Sequence, residues 1–314
     1  MDRNLALELV RVTEAAALAS ARLLGKGDPI AADRAAAAAM ELAMRGAKIA
    51  GHIVIGERDE IPDAVFRRGL TVGTGEDPEV DVVLDPLEGM GSLADGQGNA
   101  ISAIALGPRG SFRFFNSRHM RKIAVGADAA EVIDLRAPVF ENLVRIAEAK
   151  RVYVEDLTVA ILRRERHNSL IEEVRRSGAR IELVRDGDLA ATFAAALPGT
   201  GIDAAIGTGD TRQGVIAATA LACIGGGFQA ELIRDEEGPH DDPAEYGTIF
   251  GIEDLTGAKN IMFAVTGVSR CPFLEGVAFR PGGAVTQSLV LRSKSGTIRF
   301  LRTEHFFDKE PDYT

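Results

Sequence analysis

Hydrophobic and polar positions recur with two different periods along this chain. Near the start, Leu5, Leu9, Val12, Ala16, Ala19 and Leu23 fall at helical spacing, which predicts an amphipathic helix over residues 4–24. Gly25 and Gly27 end it, and Asp28-Pro29 then offers an N-cap followed by proline at the first helical position. The next predicted helix, over 29–45, is rich in alanine and so suited to close packing on a neighbour. Short apolar runs follow. Residues 53–55 and 80–84 read as buried strands, the first ending in Gly56-Glu57 and the second in Asp85-Pro86. Residues 100–106, 111–115 and 122–125 read as further strands with little helix between them, which predicts a mixed or antiparallel sheet.

From about residue 137 the pattern changes. Helix 139–151 leads into strand 157–162, helix 168–176, strand 181–184, helix 189–196, strand 204–206 and helix 213–223. Such alternation predicts a parallel sheet with helical cover. Residues 235–259 are polar, contain Pro239 and Pro243, and read as an exposed excursion. A strand over 261–265 and a hairpin of 285–292 with 297–302 complete the chain. The class is therefore α/β, a mixed sheet followed by a mostly parallel half. Two domains are expected, an N-terminal α+β domain over 1–140 and a C-terminal α/β domain over 141–314.

Composition narrows the function. The chain has 314 residues, 46% of them hydrophobic and 26% charged, enough for two moderate globular domains. A formal net charge of −10 argues against a nucleic-acid groove or a polybasic membrane patch. It leaves room for an anionic ligand, because a phosphate needs local positive charge or a metal rather than a basic protein. Cys223 and Cys271 form neither a disulfide framework nor metal-type spacing, and read as buried free thiols. With no signal-peptide pattern at the start and no run of about 20 apolar residues, the expected location is the cytoplasm.

The sharpest chemical motif is Asp85-Pro86-Leu87-Glu88-Gly89. Asp85 leaves a hydrophobic strand, Pro86 fixes the turn, and Glu88 returns its carboxylate toward the same side. Two hard oxygen ligands at this spacing suit Mg²⁺ or Mn²⁺; the bland alternative is a strand-end turn with a solvated Glu. Glu57 closes an earlier strand, and Asp33 lies near the start of the alanine-rich helix, where a carboxylate also favours the helix dipole. Asp186-Gly187-Asp188 again follows a strand, and sites in open sheets gather at strand ends. Gly73-Thr74-Gly75 and Gly207-Thr208-Gly209 fit neither a dinucleotide nor a P-loop pattern.

Several of these runs, in order, resemble the class II fructose-1,6-bisphosphatases of the lithium-sensitive metal phosphatase superfamily. The runs are 11–19, Ile53-Val54-Ile55-Gly56-Glu57, Val72-Gly73-Thr74-Gly75, Asp85 to Gly89, Gly96-Gln97, Arg166-His167, Asp186-Gly187-Asp188 and 299–308. The resemblance implies a layered α-β-α-β-α sandwich and a phosphoric monoester hydrolase that uses Mg²⁺ or Mn²⁺. It implies a small phosphorylated sugar as substrate and a homodimer or homotetramer as assembly. By this resemblance Asp33, Glu57, Asp85, Glu88 and Gln213 match metal ligands. Glu88, Gly89, Met90, His119, Arg164, Arg166, Asp186, Gly187, Asp188 and Asp210 match substrate-binding positions. Glu57, Asp85 and Asp59 are the implied catalytic carboxylates. Asp59 takes that place if the loop is aligned on Asp-Glu-x-Pro; aligned without gaps, the place falls on Ile61. His167 reads as a phosphate-contact or structural residue.

The chain departs from the family at several of these positions. Met90 stands where the family has Thr, His119 where it has Tyr, Asp210 where it has Gly, and Gln213 where it has Glu. A thioether cannot help place an attacking water, and an amide oxygen is a weaker ligand for a hard cation. Asp210, three residues before Gln213, is positioned in sequence to supply a carboxylate instead. Three readings follow: a phosphatase retuned to another phosphorylated sugar, a catalytically impaired paralogue that binds a sugar phosphate in a regulatory role, and a scaffold protein with no metal dependence.

Overall fold

The computed structural model describes residues 5–57, 63–234, 240–257 and 260–308. The chain opens with α1 (Leu5–Ala21), α2 (Pro29–Met44), β1 (Ala50–Ile55), β2 (Thr71–Val72), β3 (Glu79–Glu88), α3 (Met90–Ala94) and β4 (Ile101–Pro108). It continues through β5 (His119–Val125), α4 (Val139–Lys150), β6 (Thr158–Leu162), α5 (Asn168–Ser177), β7 (Arg180–Val184) and α6 (Asp188–Ala196). Then come β8 (Ala204–Asp210), α7 (Thr211–Ile224), β9 (Gly227–Ile233), β10 (Phe250–Gly251) and α8 (Ile252–Leu255). The last elements are β11 (Met262–Gly267), β12 (Ala278–Arg280), β13 (Gly283–Arg292) and β14 (Thr297–Phe306). Among the described residues no helix is long and apolar enough to cross a membrane.

Two compact units divide the chain, residues 1–112 with 258–314, and residues 113–257. This differs from the expected division at 140/141, and strand pairing gives the reason. The first unit's sheet runs β12-β13-β11-β4-β3-β1-β2, with β14 on the other side of β13. β11 lies antiparallel to β4 over six rungs, from Met262↔Leu106 to Gly267↔Ile101. The C-terminal strands thus complete the N-terminal sheet. The second unit's sheet runs β10-β9-β5-β8-β6-β7. The predicted strand at 122–125 is part of β5 and belongs to this second sheet. Here β6 is parallel to β7 and β8, as the alternating pattern predicts, while β5 lies antiparallel to both β8 and β9.

Residues 111–115 do not form the predicted strand. Their backbone bonds go elsewhere: Asp81 accepts from the amides of Gly110 and Ser111 at 2.7 and 3.0 Å, and Arg113 N–H donates to the Leu255 carbonyl at 3.0 Å. β9 was hidden in the sequence behind the Gly225-Gly226-Gly227 run. Gly225 does stop α7, with φ +73°, but the strand begins two residues later.

In the first unit, α1 and α2 pack on each other and on the sheet through small side chains. Ala16, Ala17, Ala32, Ala36 and Ala37 are buried beside Met40, Ile53, Leu84 and Val290. The predicted cap of α2 is present: Asp28 accepts from Ala31 N–H at 2.9 Å, with Pro29 opening the helix. Beneath α1 runs a buried polar chain. Thr13 Oγ1 lies 2.7 Å from Thr266 Oγ1, which lies 2.8 Å from Ser288 Oγ. Thr286 donates to the buried Glu14 carboxylate at 2.9 Å and also meets His305 Nε2 at 2.9 Å. Thr13, Thr266, Thr286 and Ser288 are fully excluded from solvent. These bonds fix α1 to β11, β13 and β14, elements some 250 residues away in sequence.

Thr266→Val removes the central hydroxyl of this chain and leaves the Ser288 hydroxyl in an apolar setting. The expected cost is about 1–3 kcal/mol, the usual penalty for stranding a buried polar group. Equilibrium denaturant unfolding measures it; an unchanged midpoint would show that the chain of hydroxyls does not stabilise the fold.

Candidate active site

Most of the described site residues predicted from the sequence fall at two sheet edges, one in each unit. In the first unit, Ile55 pairs with Val83, so Glu57 and Asp85 each stand two residues past a shared rung of the parallel pair β1 and β3. Strand register also explains how Asp85 and Glu88 come to share a face. Asp85 pairs with Ala103 and Glu88 with Ile101, so three steps along β3 match two along β4. The extra residue is a bulge. Because Ala103 and Ile101 are two apart they share a face, and so do Asp85 and Glu88. Without the bulge an i, i+3 pair would face opposite sides.

The surroundings hold these carboxylates in place. Glu57 Oε2 accepts from the amides of Val65 and Phe66, both at 2.8 Å. Asp85 Oδ1 accepts from Leu87 N–H at 3.2 Å. Glu88 is 1% exposed. Gly89, at φ +82°, follows at once and opens α3; a Cβ there would come within 2.8 Å of the Asn99 carbonyl oxygen. Only glycine allows this backbone approach. Met90, first in α3, is 39% exposed. Asp33 is half-buried on α2, which packs against β3 and α3. Asp59 and the competing Ile61 lie outside the described residues.

Among the described residues no three His, Cys, Asp or Glu side chains form a preformed metal cluster. The donor set nevertheless fits a hard divalent ion. Its first-unit members, Asp33, Glu57, Asp85 and Glu88, are all carboxylates, backbone hydrogen bonds orient Glu57 and Asp85, and such ions often keep several waters and take further ligands from a substrate phosphate. The fit is therefore to an open site rather than to a closed protein cage.

The second unit gathers the remaining predicted residues at one sheet edge. Leu162 pairs with Val184, so Arg164 and Asp186 again stand two residues past a shared rung, at the carboxyl ends of β6 and β7. β5 runs the other way and starts at this edge, with His119 directly opposite Asp210, the last residue of β8. Arg164 donates to the Arg185 carbonyl at 2.6 Å, and Arg166 to the Thr208 carbonyl at 3.0 Å, so each arginine ties two strand ends together. Gly187, at φ +99°, turns the chain from Asp186 into α6. The N-terminus of α6 points to this edge, which favours anions there, whereas that of α7 is already capped by Asp210.

Three of these residues have structural duties that spacing alone did not disclose. Asp188 is 8% exposed and forms an ion pair with Lys122, itself 3% exposed. Gly209 lies against this pair, and a Cβ there would overlap the Asp188 carboxylate. Lys122 was not singled out from the sequence, although it occupies the inward register of β5 with Met120 and Ala124. Asp210 caps α7, accepting from Arg212 N–H at 2.8 Å and Gln213 N–H at 3.4 Å, with the Arg212 guanidinium 3.4 Å away. Its charge is thus offset locally. The Asp-x-x-Gln spacing of Asp210 and Gln213 is half of a capping box and was the available signal. His167 is structural. Its Nδ1 lies 2.7 Å from the Leu162 carbonyl and its Nε2 accepts from Thr208 N–H at 2.8 Å, so the proton sits on Nδ1. Burial, aided by the nearby Arg166, holds its pKa below the usual value and keeps the ring neutral. A recess with room for about one water lies among Lys122, His167, Asp188 and Thr208.

Comparison with known proteins identifies the family. The family model described as bacterial fructose-1,6-bisphosphatase, glpX-encoded, matches residues 3–305. A D-fructose 1,6-bisphosphatase class 2/sedoheptulose 1,7-bisphosphatase of Thermosynechococcus vestitus is 35% identical, the match covering 99% of this chain and 98% of that protein. A protein of the same description from Synechococcus sp. (strain JA-3-3Ab) is 36% identical, over 98% of this chain and 97% of its own length. Motif, strand-end geometry and near end-to-end similarity agree: this chain belongs to the bacterial glpX-encoded fructose-1,6-bisphosphatase family and is a phosphoric monoester hydrolase.

Proposed function

We propose that this enzyme hydrolyses a phosphate ester of a sugar bisphosphate, of the kind named for its relatives, in the cytoplasm and with Mg²⁺ or Mn²⁺. The observation that carries the reading is the bulge in β3, which sets Asp85 and Glu88 on one face beside Glu57. A bound ion at these carboxylates would polarise the phosphoryl group and the attacking water. Glu57 and Asp85 act as oriented oxygen donors, with Glu88, Asp33 and Gln213 completing the donor set. Asp59 is read as the base that positions the water, and Gly89 gives the ester phosphate a close backbone approach.

Arg164 and Arg166 hold the non-reacting phosphate. Arg164 donates to the Arg163 and Arg185 carbonyls and Arg166 to the Thr208 carbonyl, which fixes each guanidinium at this edge, and the planar guanidinium suits phosphate oxygens. His119 adds a ring donor at the same edge, stronger when protonated. Asp186, Gly187 and Asp188 line the sugar, Asp188 with one oxygen committed to Lys122. Met90 and Gln213 point to a retuned specificity or slower turnover: the first removes a hydroxyl from the start of α3, and the second removes a charge from the donor set.

Phosphate release from a panel of sugar mono- and bisphosphates tests the reading. Release from at least one is expected, lost with EDTA. Asp85→Asn is expected to lower kcat by about 100-fold or more, since even outer-shell partners of a metal ligand are worth roughly 10–100-fold. Sugar-phosphate binding with no release from any substrate would instead identify a ligand-binding paralogue.

Arg166→Ala is expected to raise KM by about 10-fold or more with a smaller change in kcat, the loss of a charged hydrogen bond made equally in ground and transition states. An equal fall in kcat and kcat/KM would assign Arg166 to the transition state instead. Gln213→Glu is expected to tighten Mn²⁺ binding in calorimetric titration. An unchanged affinity would remove Gln213 from the donor set.

A further inference from the structure

Lys122 lies inside the second unit's sheet, on a strand paired on both sides: it stands opposite Gly207 of β8 and Ala230 of β9. A buried lysine there needs room, and the Gly207-Thr208-Gly209 run provides it. A Cβ at Gly209 would overlap the Asp188 carboxylate and come within 2.7 Å of Lys122 Nζ. A Cβ at Gly207 would press on the His167 ring at 3.1 Å. Two apart on one strand, the glycines share a face, and Lys122, opposite Gly207, shares it with them. They clear the space in which the amine donates to Asp188 Oδ2. His167, the other basic side chain lining the recess beside the pair, is held neutral by burial, which leaves Lys122 as the cation there.

Stability alone is a poor reason for this arrangement. Taking both charges out of water offsets their attraction, so apolar residues of similar volume often hold a fold as well or better. Glycines inside a strand weaken it further. What the arrangement does achieve is to fix Asp188, the first residue of α6, two positions past Asp186 at the edge read above as lining the sugar. We propose, resting on that reading of Asp188, that Lys122 is a positioning residue for substrate: it holds Oδ2 and so sets Oδ1 to accept from a sugar hydroxyl. A carboxylate oxygen only accepts, so one fixed in place selects a ligand that brings a hydroxyl donor to that point. The pair thereby favours a polyol phosphate over phosphate itself, as sites built to bond a hydroxyl reject ligands that lack it. Lys122 is 3% exposed and acts through Asp188 without touching the substrate.

Three measurements on the full-length, metal-loaded protein test this: KM and kcat for a sugar bisphosphate, the inhibition constant of inorganic phosphate, and the calorimetric Kd of fructose 6-phosphate. The last needs no turnover. Lys122→Met and Asp188→Asn are each expected to raise KM and the fructose 6-phosphate Kd by about 10-fold or more, with a smaller change in kcat. The inhibition constant of phosphate is expected to stay unchanged. The double variant leaves neither charge buried alone, and is expected to bind no worse than Asp188→Asn. Should Lys122→Met fail to fold, the comparison of the double variant with Asp188→Asn decides by itself. A double variant clearly weaker than Asp188→Asn would overturn the proposal, because Lys122 would then act independently. So would a Lys122→Met protein with unchanged KM and Kd, or one that loses phosphate as severely as sugar phosphate, the mark of a collapsed edge. Wild-type binding by Asp188→Asn would instead overturn the sugar role of Asp188, and with it any role of Lys122 in binding.

Discussion

The antiparallel pairing of β4 with β11 is the constraint on which the rest of the structure depends. It brings residues 101–106 against 262–267 and makes the second unit an insertion in a loop of the first. β11 gives β13 its place, and β13 gives β14 its place. The buried hydroxyls of Thr266 and Ser288, on those same strands, then receive α1 through Thr13. Buried polar groups tolerate few alternative partners, so this contact specifies where α1 sits more sharply than alanine packing alone would.

The same sheet logic builds both candidate edges. In each unit two parallel strands end in step, and a candidate pair stands two residues beyond: Glu57 with Asp85, and Arg164 with Asp186. The first edge is acidic and bulged, suited to a cation. The second carries arginines anchored on carbonyls and the N-terminus of α6, suited to an anion. Each unit thus sets its candidate residues on the ends of its own strands.

Much of this was legible in the residues. The period of 3.6 found α1 and α2, the Asp28-Pro29 pair found the cap, and the alternation after residue 137 found β6, β7 and β8. What the sequence hid was non-local. The division at 140/141 followed a change of local pattern, whereas the units are defined by pairing across some 150 residues. The stretch 111–115 is apolar enough for a strand but donates its amides to other partners. The Asp85-Glu88 geometry was expected from the turn, yet the bulge that produces it appears only in the register with β4. Asp188 and Asp210 looked like ligand residues by spacing. Their additional roles, as counter-ion and as helix cap, depend on Lys122 and on the first turn of α7.

The interrupted first unit has a consequence for how the protein is born. On the ribosome, β3 and β4 emerge long before β11, and at about 5–20 residues per second the wait is roughly 10–30 s. Throughout it, β4 presents an apolar edge with its partner not yet made, while α1 waits for the hydroxyls that will hold it. The contiguous second unit has all its strands by then and is free to fold. Nascent chains of this enzyme thus pass through a stage with one finished half and one open sheet, the stage at which molecular chaperones matter most.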